Sequence, residues 1–449
     1  MTRFSVGLRR ALVVAAPLAF VACADEGPTD PDPTPPGVAE IRFEVDDSLG
    51  FYAGESIQLG AAAYDSTGTV IPDRPITWTI SDPHVVSVDS LGVLSALAQG
   101  TTTVTATAND VSATLTIRIT EFVEIALHTD PLCARDVEGA VWCIGTEWHG
   151  REAWPHPLYE QWQQVSGDLV FSSLASGWQH TCGIADAAYC WGSNEKGMLG
   201  AGPVSPMYSV APLAVTGGHD FAALDGGWEH TCGIDADGDA YCWGRGLELQ
   251  LGNGVATVSN EPVLVAGGHD WLTLEAAQRS TCGVDAEGVT YCWGELMHAD
   301  STALLPTAVP DAPFNVDRLS GQWDGACASA DVLVDCWGDF IPDPAQMTFA
   351  QPVLEIVLAE DAACALLADG DVQCWGSNED LQLGNASITS TTTPLSVAGG
   401  RSYVGLVGGG HMLCAQSTDG GIYCWGEPYH TDRPLPASAE PARVPAPMP

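Results

Sequence analysis

Fourteen of the fifteen cysteines form seven close pairs: Cys133 with Cys143, Cys182 with Cys190, Cys232 with Cys242, Cys282 with Cys292, Cys327 with Cys336, Cys364 with Cys374, and Cys414 with Cys424. Partners are only eight to ten residues apart, which suits the two strands of one hairpin. In Thr231 to Gly244, TCGIDADGDAYCWG, the residues Ala236, Asp237 and Gly238 make a three-residue loop, with glycine where the backbone needs a positive φ. Gly139, Gly288, Gly370 and Gly420 hold that place in four other hairpins. Alternation outward from the loop sets the cysteines opposite each other at a non-hydrogen-bonded position, where side chains lie closest. The pair Cys327 and Cys336 keeps the same parity with a two-residue loop, whereas Cys182 and Cys190 need a tighter turn whose register the spacing does not give. Seven local disulfides are therefore expected, and with them an oxidising compartment. Structural zinc sites usually set cysteines two to four residues apart, so no metal is expected here.

The pairs recur at intervals of 49, 50, 50, 45, 37 and 50 residues across 121–449. A period near fifty, with one supersecondary unit per repeat, marks a propeller or solenoid. Two strand-like pieces precede each hairpin, such as PVLV at 262–265 and WLTL at 271–274, so a unit holds about four strands, the content of a propeller blade. The expected fold is all-β, an immunoglobulin-like β-sandwich followed by a seven-bladed β-propeller. EPARVPAP at 440–447 looks like NEPVLVAG at 260–267, and ATLTIRIT, ahead of the first hairpin, is used by the preceding domain. The C-terminal tail is thus expected to supply a strand missing from the first blade and close the ring.

Residues 1–22 carry Arg3, Arg9 and Arg10 before the apolar run 11–22, the layout of a secretory signal and too short to span a bilayer. The ending Phe20, Val21, Ala22, Cys23 resembles the bacterial lipoprotein signal, which implies lipidation of Cys23, the cysteine without a partner. Residues 23–37 are acidic and proline-rich, an extended tether. From 38 to 120 short alternating strands follow, IRFEV, SIQLGAAAY, ITWTI, VVSV, GVLSAL, TTTVTATA and ATLTIRI, the pattern of a β-sandwich. The stretch from Trp78 through SDPHVVSVDSLGVLSALAQGTTTVTATA resembles the bacterial immunoglobulin-like group 2 domain. Trp78 is expected in its core and His84 in a solvated loop.

Acidic residues outnumber basic ones 57 to 15, a formal charge of −42. A phosphate backbone would be repelled, which argues against nucleic-acid binding.

GWQHTC at 177–182, GWEHTC at 227–232, the Trp-Gly after the second cysteine, and WGSNEKGMLG (191–200), WGRGLELQLG (243–252) and WGSNEDLQLG (375–384) resemble the regulator of chromosome condensation repeat family. The resemblance spans 121–449 and implies a seven-bladed propeller, although the fourth and fifth units lack the full Asn and Leu-Gly segment. It does not imply photoreception, since Gln179 and Glu229 stand where plant photoreceptor relatives carry arginine. Nucleotide exchange on a small GTPase suits no exported protein. Exported relatives that inhibit β-lactamases imply a protein-binding module instead.

The loops just before each first cysteine diverge on a constant frame, and in a propeller they gather on one face. They supply the candidate binding residues Trp178, Gln179, His180, Trp228, Glu229, His230, Arg279, Trp323, Asp324, Glu360, Asp361 and His411. Tryptophan and arginine are favoured anchors of recognition surfaces. No G-x-S-x-G or HExxH motif occurs, and Asp235, Asp237 and Asp239 lie in a hairpin turn, not a calcium loop. No catalytic residue and no cofactor is expected. These features fit an exported, lipid-anchored cell-surface binding or adhesion protein that presents its propeller to an exported protein or glycan. The anchor would be its membrane contact, and the chain is expected to be monomeric. The alternative is a polysaccharide-acting hydrolase or lyase using paired carboxylates.

Overall fold

The computed structural model describes residues 37–449 except 46–47, 129–130, 146–158, 166, 297–300, 310–315, 323–324, 339–345, 428–434, 436 and 449. The signal, Cys23, Trp323 and Asp324 lie outside the described residues. Every regular element among the described residues is a strand.

The N-terminal unit is a sandwich. One sheet orders Ser48–Tyr52, Val111–Thr120, Gly100–Ala108 and Thr77–Ile80, and the facing sheet orders Ser56–Gln58, Val93–Ala96 and Val86–Val88. Alternation decides which side chains face inward: Thr102, Val104, Ala106 and Ala108 are buried, with partly exposed residues between them. Val86, Leu94, Val104, Leu115 and Ile117 form the core, Trp78 packs against it half-buried, and His84 is exposed. Two elements differ from expectation. SIQLGAAAY breaks at Leu59 and Gly60, where a Cβ on Gly60 would run into the Glu44 carboxylate, and its second half pairs with Glu40–Phe43. Ser48–Tyr52, which the sequence leaves as a loop, pairs parallel to Val111–Thr120.

Seven four-stranded antiparallel sheets follow, over 122–164, 173–214, 221–264, 271–308, 318–348, 353–396 and 403–443, numbered here as blades one to seven. Blade three is typical, with strands Phe221–Gly226, His230–Asp235, Ala240–Gly244 and Ser259–Leu264. In every blade the two cysteines are directly opposed and bonded. From blade one to blade seven, Cys133 is joined to Cys143, Cys182 to Cys190, Cys232 to Cys242, Cys282 to Cys292, Cys327 to Cys336, Cys364 to Cys374 and Cys414 to Cys424. Their Cα atoms lie 4.0–4.1 Å apart, and all seven pairings agree with the sequence expectation. The tight Cys182–Cys190 hairpin keeps its parity by turning on one residue: Ile184 pairs with Ala188, and Ala185 N–H donates to Ala187 C=O at 2.8 Å, leaving Asp186 at the tip. Asp235 Oδ1 accepts the N–H groups of Asp237 and Asp239, both at 3.0 Å, so this acidic turn closes on itself.

Ring closure differs from the sequence expectation. The C-terminal strand Ser438–Arg443 pairs with Ile422–Gly426 inside blade seven, and blade one completes itself with Tyr159–Gln164. Each fourth strand follows its own hairpin, so PVLV belongs to the blade before WLTL. EPARVPAP and NEPVLVAG are alike because both are fourth strands. The seam between blades seven and one is closed by side chains. Met412, Cys414, Ile422 and Cys424 share a core with Phe122, Leu132 and Trp142, and the Gln416 amide donates to Phe122 C=O.

Neighbouring blades are held by the repeated tryptophans. Trp243, fully buried, packs on the Cys182–Cys190 bridge of the preceding blade with Leu199 and Phe221, and its indole N–H donates to Met198 C=O at 2.7 Å. Trp293 and Trp425 repeat the bond to Gln250 and Gln382, at 2.8 and 2.9 Å. Each disulfide is thus covalently local, yet it forms part of the surface on which the next blade packs.

The sandwich docks on the same seam. Tyr52 is fully buried in the core shared by blades one and seven, and both its hydroxyl and the Trp162 indole N–H donate to Pro445 C=O, at 3.3 and 2.7 Å. Arg443 pairs with Glu55, and the Arg118 guanidinium stacks 4.2 Å over Trp142. Gly420, in the hairpin loop of blade seven, lies against Ala53. The sandwich therefore meets the propeller at the end where the cysteine hairpins turn.

Candidate functional site

The turns joining first and second strands and the loops joining third and fourth strands emerge together, because the start of the second strand pairs with the end of the third, as His230 does with Gly244. This rim lies at the opposite end from the sandwich. Trp178 and Trp228 occupy consecutive turns, half-buried, with ring centroids 4.6 Å apart and planes inclined by 42°. The backbone fixes them: Trp178 N–H donates to Gly227 C=O at 3.1 Å, and Trp228 N–H to Ala277 C=O at 3.3 Å. Gln179 stands half-buried beside Trp178.

Glu229 lies 2.8 Å from Arg245, and the same guanidinium forks onto Glu248 at 2.5 and 2.7 Å. That fork holds the Glu248 carboxyl down at about 2. One blade on, the equivalent positions carry Arg279 and Glu295, 3.2 Å apart with the charges exchanged. Glu360 and Asp361 form the two-residue turn between Ala359 and Ala362, and Glu360 adopts a left-handed φ of 47°. His411, in the matching turn of blade seven, faces Glu360 through Nε2 and lies 3.3 Å from Asp380 through Nδ1. Asp380 was not legible as part of this group.

His180 and His230 require correction, since neither is on the accessible face. Both open the second strand of their blade and are 1% and 0% exposed, with Nε2 2.7 Å from Thr231 Oγ1 and 2.9 Å from Thr281 Oγ1 of the next blade. Burial pushes both imidazoles down to about 3, at His230 against an opposing pull from Glu248, so they are neutral latches between blades.

A central cavity of about 220 Å³ is lined by all seven innermost strands. One layer of it consists of Ala126, Ala175, Asp225, Glu275, Ser320, Val357 and Val407, each directly opposite the first cysteine of its blade. Side chains paired across strands share a face, so these residues point toward the next blade as the disulfides do. Asp225 accepts Ala276 N–H at 2.5 Å, Glu275 accepts Gly321 N–H at 2.8 Å, and Ser320 accepts Leu358 N–H at 3.2 Å. Two residues earlier on their strands, Glu124 accepts Leu174 N–H at 3.0 Å and Glu355 accepts Leu406 N–H at 2.5 Å. Burial raises the Asp225 carboxyl to about 6, and burial followed by the Asp225 charge raises Glu275 well above the ordinary range. These inter-blade bridges escaped the sequence reading.

A family profile for the bacterial immunoglobulin-like domain (group 2) matches residues 51–119, and one for the regulator of chromosome condensation (RCC1) repeat matches 221–250 and 360–382. An 80-residue stretch is 41% identical to the lacto-N-biosidase of Bifidobacterium bifidum, which amounts to 17% of this chain and 7% of that enzyme. The chain thus spans less than a tenth of that relative's length. The solved structure of Prp20p from Saccharomyces cerevisiae superposes with a TM-score of 0.58 at 15% identity, covering 69% of this chain and 86% of that one. Human WBSCR16 gives 0.56 at 17% identity, covering 66% and 88%. Yeast RCC1 in complex with Kap60 gives 0.55 at 16%, covering 64% and 78%. Residues 51–119 thus match the bacterial immunoglobulin-like domain (group 2), and the seven-bladed propeller that follows carries matches to the regulator of chromosome condensation repeat in blades three and six.

Proposed function

We propose that the protein is an exported, lipid-anchored cell-surface binding protein whose propeller rim recognises another protein or a glycan. The tilted pair of Trp178 and Trp228 carries this reading, because it sits on the end of the propeller that faces away from the sandwich. Large aromatic rings fixed by their own backbone make good anchors at small entropic cost. Glu229, Arg245 and Glu248, then Arg279 and Glu295, add charge that would orient a partner. The disulfides and the group 2 domain support an extracellular setting. One propeller of this fold serves protein recognition: the structure of yeast Prp20p is reported with its binding to Gsp1p and histones, and the same protein, yeast RCC1 (Prp20), is seen bound to Kap60.

A polysaccharide-acting enzyme is the second reading, favoured by the two buried carboxyls of Asp225 and Glu275, on neighbouring blades in the channel. Against it, both already accept a backbone N–H of the next blade, and about 220 Å³ is small beside the 300–1,000 Å³ usual for ligand sites.

The test is a screen of the immobilised full chain against exported proteins and glycans, repeated with Trp178→Ala and Trp228→Ala. A loss of about tenfold or more in affinity at unchanged melting temperature is expected. Unchanged affinity in both variants would move recognition away from this face.

A further inference from the structure

The disulfides all stay within single blades, but one cluster of donor atoms spans two. Glu360 lies at the first turn of blade six, Asp380 in the loop after its third strand, and His411 at the first turn of blade seven. Their ligand atoms all lie within 4.8 Å of one another, and each residue is partly exposed at the rim. In blade three the carboxylates at the equivalent place are matched by a built-in cation: Glu229 and Glu248 close on Arg245. Asp380 occupies the place of Glu248 in the repeat, while Ser377 stands where Arg245 does. Blade six therefore keeps an acidic group and replaces the guanidinium with a neutral hydroxyl, and an imidazole reaches in from the next blade.

The donor set is selective. One imidazole and one carboxylate, with a second carboxylate behind the ring, suit a divalent ion of the zinc class, whose nitrogen and oxygen ligands sit at roughly 2.0–2.2 Å. Calcium wants six or more oxygens, which three side chains do not provide. The ring orientation also fits, because a metal-bound histidine commonly gives its other N–H to a carboxylate. Here Nε2 faces Glu360 while Nδ1 lies 3.3 Å from Asp380.

We infer that Glu360, His411 and Asp380 form a site for one divalent transition-metal ion. Glu360 and His411 Nε2 ligate it, Asp380 orients the ring, and the remaining positions are open to solvent. Such an ion would be a cross-blade staple near the ring seam. The inference does not depend on the rim's partner.

The experiment is calorimetric titration of the chelator-stripped full chain with zinc chloride at pH 7, with cobalt(II) chloride as a spectroscopic second probe. One equivalent per chain is expected, weakened more than about 100-fold by His411→Ala and about 10–100-fold by Asp380→Asn. Glu360→Gln serves as a second ligand variant should His411→Ala fold poorly, with far-UV circular dichroism reporting the fold. Absence of a one-equivalent isotherm, or one that both ligand variants leave unchanged, overturns the assignment.

Discussion

Asp225 is held on the innermost strand of blade three by accepting Ala276 N–H from blade four, in an environment that raises its carboxyl from 3.8 to about 6. In the unfolded chain the same group ionises near 3.8. Between those two pH values the folded state carries a proton that the unfolded state lacks, so this group's contribution makes stability fall as pH rises. Above pH 6 both states are ionised and the penalty is complete. Roughly two pH units at 1.36 kcal/mol each amount to about 3 kcal/mol. Asp225→Asn keeps a carbonyl oxygen for Ala276 N–H and removes the charge. It should raise the unfolding free energy by about 1–3 kcal/mol at pH 7, the lower figure allowing for a weaker acceptor, and by close to nothing at pH 4. Urea denaturation at both pH values with the disulfides intact, followed by tryptophan fluorescence, measures the difference. If the variant is destabilised at pH 7 and more so than at pH 4, the ionised carboxylate is itself a favourable bridge, and burial does not dominate the channel.

The tryptophans and the seam give two further outcomes. Trp243→Ala empties the space between blades two and three and removes the bond to Met198, so it should cost about 3–5 kcal/mol in chemical denaturation; a cost below about 1 kcal/mol would mean that blade cohesion lies elsewhere. Tyr52→Ala should separate the sandwich from the propeller, giving two calorimetric transitions or faster proteolysis near Glu121, and an unaltered profile would show that the docking does not couple the two units.

Local chemistry made much of the fold legible. A glycine at the third loop position and strict alternation fix both the hairpin register and the facing cysteines, as in Cys232 with Cys242 and Cys282 with Cys292, and neither depends on distant residues. The Cys182–Cys190 turn escaped because a one-residue tip has no composition signature. Blade phase escaped for another reason: a fourth strand after its own hairpin and a strand before the next hairpin read alike until a sheet assigns them. The GWxH motif was visible, but its histidine was read as a loop side chain, whereas the pairing of His230 with Gly244 turns it inward. Asp225 and Glu275 leave a usable trace, a carboxylate seven residues before the first cysteine in an otherwise apolar strand. Their partners lie about fifty residues away, so only blade packing shows what they bond. Asp380 met His411 for the same reason.

Peptide mapping of the oxidised, full-length protein under non-reducing conditions tests most directly whether each blade of the propeller is locked by its own bridge. Seven linkages are expected, joining Cys133 to Cys143, Cys182 to Cys190, Cys232 to Cys242, Cys282 to Cys292, Cys327 to Cys336, Cys364 to Cys374 and Cys414 to Cys424, with no crosslink between units. Free thiols, or a bridge joining cysteines of two different blades, would contradict both the blade-by-blade locking and the oxidising compartment inferred from it.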